Sequence, residues 1–93
     1  MNAEQITGIP LSVTPERIEE IIVKEDYFLF PGSTLTIAML TIENGFTVTG
    51  ESACANPDIF NEELGRKYAR DNAKDKIWRL EGYLLRQKLH DAS

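Results

Sequence analysis

The dipeptide Asn44-Gly45 sits between two strand-like runs, "LTIAMLTIE" and "FTVTGESAC", and constrains the chain more than any other feature. Asn-Gly is the favoured pair for a type I′ hairpin turn, which needs positive φ at both central positions. A two-residue loop pairs Glu43 with Phe46 and Thr41 with Val48, then continues to Leu35 opposite Cys54. That register gathers Leu35, Ile37, Met39, Phe46, Val48 and Cys54 on one face, the expected core face. Ala38, Leu40 and Ile42 then fall on the outer face beside Thr47 and Thr49, a face too apolar to be plainly solvated.

The elements around the hairpin follow from local signals. In "VTPERIEEII" Thr14 can cap, Pro15 suits the first helical position and Glu16 favours the positive end of the dipole. Val13 and Ile18 stand where a hydrophobic staple would, so a short helix is expected over 15–23. "DYFLF" reads as a strand, ended by Pro31-Gly32. From 57 to 89 the pattern is one long helix, with Ala69, Ala73, Ile77, Leu80 and Leu84 forming a stripe fit to lie on a sheet. Phe60, Leu64, Trp78, Leu85 and Leu89 occupy a different side, so something besides the sheet should cover its C-terminal half. Gly65 and Gly82 weaken a helix by up to about 1 kcal/mol each and are expected to mark close contacts. The order is α-β-β-β-α: an α+β fold with a three-stranded antiparallel sheet and its helices on one face. Residues 1–12 read as an arm, docked through Ile6, Ile9 and Leu11; 13–90 form a single domain, and 91–93 a tail.

Charge and cysteine usage narrow the function classes. The net charge is -5, and residues 58–93 hold seven acids against eight bases while residues 1–33 hold six against two. An acidic balance disfavours broad nucleic-acid binding driven by counterion release, although a local patch could act. One cysteine excludes an intrachain disulfide framework and any multi-cysteine metal site. No run nears the roughly 18 apolar residues of a membrane span, and the start "MNAEQITGIP" lacks the pattern of a signal peptide. The cytoplasm is the expected compartment.

"TGESACANPDIF" has the residue types of a nucleophile turn, in Ser52 and Cys54. It lacks the closing glycine of a nucleophile elbow, and the only histidine, His90, stands too near the end to serve as a positioned base. No catalytic residue, metal ligand or cofactor is expected. The acids of "NPDIFNEEL" fit helix capping after Asn56 or Asn61. Lys67, Arg70 and Lys74 form a basic stripe that could hold phosphates or an acidic partner. Glu62–Arg66, Glu63–Lys67 and Asp75–Arg79 are spaced to neutralise that region instead.

The element order and the alanine-bearing last helix resemble the double-stranded-RNA-binding domain. That family's Gly-Pro-x-His loop and Lys-rich helix start are replaced here by "PGST" and "DIFNEELG", so only the topology carries over. Residues 40–85 resemble a small phage and prophage family named after the gene 49 product of phage N4 and the gene 66 product of phage Sf6. The shared elements are Asn44-Gly45-Phe46, the Thr-Gly-Glu-Ser-Ala-Cys run at 49–54, Glu-Glu-Leu-Gly-Arg-Lys at 62–67 and Trp-x-Leu-Glu-Gly-Tyr-Leu-Leu at 78–85. The resemblance implies a phage or prophage accessory protein acting in the bacterial cytoplasm; it carries no catalytic residues.

Together these readings lead to a non-enzymatic module that binds a host or phage protein. A homodimer is expected, through Leu40 and Ile42 or through Trp78, Leu85 and Leu89. The alternatives are a nucleic-acid binder using Lys67, Arg70 and Lys74, and a sponge for nucleotide signals.

Overall fold

The computed structural model describes residues 8–93. Helix α1 (Pro15–Ile21) runs without a loop into strand β1 (Ile22–Leu29), followed by β2 (Leu35–Ile42) and β3 (Thr47–Ala53). A single 3-10 turn (Pro57–Ile59) precedes helix α2 (Glu62–Ala92). The strands form an antiparallel sheet in the order β1-β2-β3. The expected α-β-β-β-α architecture is the one observed.

Capping chemistry sets the helix ends. Thr14 accepts from the Arg17 amide with Pro15 in the first turn, and Val13 packs against the core. Both asparagines ahead of α2 act: Asn56 caps the 3-10 turn and Asn61 accepts from the Leu64 amide. The long helix therefore starts at 62, not 57, because the chain turns between the two caps. It also runs on to Ala92, and β1 starts at Ile22, inside the stretch expected to be helix.

The Asn44-Gly45 hairpin forms, but with a different turn. The Gly45 amide donates to the Ile42 carbonyl, and the Ile42 amide to Phe46. Only Gly45 has positive φ, at 91°, while Asn44 does not. This is a three-residue loop, a type I turn with a left-handed glycine, rather than the expected two-residue type I′ turn. The pairing becomes Thr41 with Thr47, Leu40 with Val48 and Ala38 with Gly50, one residue away from the expected register. Strand side chains alternate, so this slip turns β2 over relative to β3 and sets Leu40, not Thr41, on the side of Val48.

Val48 stays on the core face as expected, while β2 is turned over, so that the residues expected outside on it face the helices. Leu40, Ile42, Val48 and Ala38 are buried under Ala69, Ala73 and Ile77 of α2 and Ile18 and Ile21 of α1. Both helices lie on this one side. The closest approach is at Gly50, where an added Cβ would collide with the Ala69 carbonyl and the Ala73 amide. Ala38 is its neighbour across the ladder, so small residues on both layers let α2 settle onto the sheet. Gly65 has a similar role, since a Cβ there would stand 2.8 Å from the Thr36 hydroxyl. Asn72 donates to the Glu51 carbonyl and Ser52 to that of Gly65, fastening α2 to β3. Gly82 marks no contact among the described residues: none of them lies within 4 Å of its Cβ position.

Candidate functional site: the open face of the sheet

The helix layer covers one side of the sheet, and among the described residues nothing covers the other. The register places Ile37 between Phe28 and Glu51, Met39 between Asp26 and Thr49, and Thr41 between Lys24 and Thr47. The open face thus divides by chemistry. Its polar half lies toward the Asn44-Gly45 tip. Its apolar half, Phe28, Ile37, Leu35 and Met39 with Glu51 at its β3 edge, lies toward the opposite turn and continues into Phe30.

That turn is built for its position. Pro31 and Gly32 occupy the central positions, the Ser33 amide donates to the Phe30 carbonyl, and Gly32 has the φ of 75° that a type II turn requires. The turn holds Phe30 edge-on to Phe28, with ring centroids 5.9 Å apart and planes at 88°. Such T-shaped pairs fix both rings. Phe28 is 54% exposed, Phe30 53% and Met39 36%, while Ile37 and Leu35 are half-buried by their neighbours. Paired aromatic rings exposed on an uncovered sheet face are the usual chemistry of a docking surface.

The residues singled out from the sequence are distributed differently. Leu40 and Ile42 belong to the core at 0% and 7% exposure, so they are not on the outer face. Register is the reason: they have the opposite parity to Ile37 and Met39. Trp78 is half-buried against the core cluster, Leu85 is half-buried and Leu89 is exposed near the end of α2. Leu84 and Leu85 face an open hollow of about 650 Å³ whose other wall is Pro10–Thr14. Of the expected arm contacts, Leu11 lines this hollow, Ile9 is half-buried, and Ile6 lies outside the described residues.

The basic stripe is occupied from within the chain. Arg70 grips Glu19 through Nη2 at 2.8 Å and Glu25 through Nε at 2.9 Å, and Lys74 reaches Glu19 at 2.9 Å. Hydrogen bonds from Arg70 and then Lys74 pull the Glu19 carboxyl from 4.5 down to about 2. Arg70 and Tyr27 lower Glu25, and Glu19 first and Glu25 next raise Arg70 further above its ordinary value. Partial burial and a 2.6 Å bond to Glu25 push the Tyr27 hydroxyl up to about 12. Lys67 pairs with Asp71 at 3.5 Å instead of Glu63 and rests over the Tyr68 ring. Glu62 and Arg66 meet at 3.9 Å as expected, whereas Asp75–Arg79 does not close. This cluster fills the gap above β1, where the inward side chains Glu25 and Tyr27 are polar, and it links α1, β1 and α2.

Cys54 lies just past β3, half-buried, with its thiol donating to the Asn56 carbonyl at 3.2 Å, rather than in the core. With Phe60, Leu64 and Tyr68 it lines an apolar groove of about 270 Å³. His90 is at the far end of α2. Among the described residues no group of three or more His, Cys, Asp or Glu side chains is placed to hold a metal ion, and no helix is long and apolar enough to cross a membrane.

Sequence reasoning missed Phe28, Phe30, Ile37 and Met39 as surface residues. The usable signal was size. Ala38 and Gly50 are the small residues of the hairpin, as Ala69 and Ala73 are of α2, and close packing needs them to face each other.

No curated protein and no solved structure matches this chain. A family profile, Phage protein (N4 Gp49/phage Sf6 gene 66) family, matches residues 13–89, from the staple residue Val13 through both helices and all three strands. The chain belongs to this phage protein family.

Proposed function

We propose that this protein is a non-enzymatic phage or prophage accessory module that binds another protein in the bacterial cytoplasm, using the apolar half of its open sheet face. One observation carries the reading. Phe28 and Phe30 form an edge-to-face pair beside Ile37 and Leu35, on the side that neither helix covers. A partner presenting an apolar ridge would bury these side chains, at roughly 25 cal/mol per Å² removed from water. The polar half of the face, with Lys24, Asp26 and Thr41, would form the hydrated rim.

The nucleic-acid alternative is weakened by the engagement of Arg70 and Lys74. Phosphate binding there would have to displace Glu19 and Glu25 at hydrogen-bond distance. The test is affinity capture from host lysate with and without nuclease, comparing the native chain with Phe28→Glu and with the rim variant Thr47→Ser. The reading expects one protein retained by the native chain and Thr47→Ser and lost with Phe28→Glu. Nuclease-sensitive capture, or a partner indifferent to Phe28→Glu, would overturn it.

A further inference from the structure

Gly82 is costly where it stands. It lies well inside α2, where glycine is the least favourable residue after proline, and none of the described residues approaches its Cβ position within 4 Å. Gly50 and Gly65 are each explained by a close neighbour, but Gly82 has none among the described residues. Helical spacing puts it on one face with Trp78, four residues earlier, and with Leu85 and Leu89 after it. Leu89 is exposed, while Trp78 and Leu85 keep part of their surface in solvent. The charges on this face are arranged in order, with Asp75 before Gly82 and Arg86 after it, and neither forms an ion pair among the described residues.

We propose that α2 pairs with α2 of a second copy of this chain, antiparallel about a two-fold axis at Gly82. A two-fold crossing sets glycine against glycine, which allows the helices to approach more closely than the usual 8–10 Å. In that arrangement a residue four places after Gly82 faces one four places before it. Arg86 of each copy then lies over Trp78 of the other, a cation–π contact, within reach of the other's Asp75. Leu85 and Leu89 pack beside the crossing. The acid-before, base-after order complements itself only when the helices are antiparallel, so charge also favours a second copy as the occupant. The surface is separate from the open sheet face, and a dimer built this way leaves both copies of that face exposed for a partner.

The experiment is light scattering and sedimentation of the full chain across a concentration series. The native chain is expected at twice its 10.5 kDa mass. Gly82→Gln is the informative variant because its two effects diverge. The monomer gains helix stability, so the melting temperature measured at low concentration rises, while the dimer dissociation constant increases at least about tenfold. Arg86→Asp and Asp75→Arg should each weaken the dimer, and the double exchange should restore it. Ile37→Lys, on the open sheet face, should leave the mass unchanged. A native chain that remains monomeric at the highest concentration overturns the proposal. So does a Gly82→Gln chain that dimerises as the native one does, or a charge exchange that fails to rescue.

Discussion

Gly50 of β3 lies directly beneath Ala73 of α2, so close that the helix amide occupies the space a Cβ would need. The obstruction is backbone, which cannot rotate aside as a side chain can. Gly50→Ala is therefore expected to force α2 off the sheet and cost about 3 kcal/mol or more. Ala38→Gly, at the neighbouring ladder position, should cost less, about 1 kcal/mol. Urea unfolding followed by circular dichroism checks both.

The ion cluster gives the fold an acid-sensitive component. The folded-state value of Glu19 lies at about 2 against 4.5 for the ordinary group, so its contribution is fully present above about 4.5 and is lost as pH falls toward 2. Glu19 is half exposed, so solvent screening limits the contribution to roughly 1 kcal/mol or less. Glu19→Gln should flatten the fall of stability with acid across that window. Arg70→Met should do more, about 1–2 kcal/mol at neutral pH, because it leaves Glu19 and Glu25 facing each other. Denaturant melts at stepped pH and at low and high salt measure both effects.

The hairpin tip separates two turn types by their glycine requirement. Gly45→Ala is expected to cost about 1 kcal/mol, since residue 45 sits at a φ of 91°. Asn44→Ala should cost only a few tenths of a kcal/mol, the value of its side-chain bond to the Phe46 amide. A type I′ turn would make both positions sensitive. Thermal melts of the two variants decide between them.

These contrasts show why some of the molecule could be read from its sequence and some could not. The caps at Thr14, Asn56 and Asn61, and the Asn44-Gly45 reversal, depend on neighbours a few residues away, and such signals survive in a linear reading. Register depends on one extra residue in the loop, and Asn-Gly fits both turns. Apolarity offered no arbitration, because "LTIAMLTI" is apolar on both faces, and only the small residues Ala38 and Gly50 mark the covered side. The basic stripe was legible as a stripe, but its occupation was not. Arg70 meets Glu25 and Glu19 across 45 and 51 residues of chain, a pairing that only the assembled fold specifies.

Everything proposed for the open face rests on which side of β2 is covered. The direct measurement is the stability of two single variants, Ile37→Lys and Leu40→Lys, by thermal and urea unfolding. Leu40 is fully buried against both helices, so its lysine variant should fail to fold or lose several kcal/mol. Ile37 faces outward, and its lysine variant should remain folded within about 1 kcal/mol of the native chain. A folded, unperturbed Leu40→Lys beside an unfolded Ile37→Lys would contradict the account, because it would place α2 on the face described here as open.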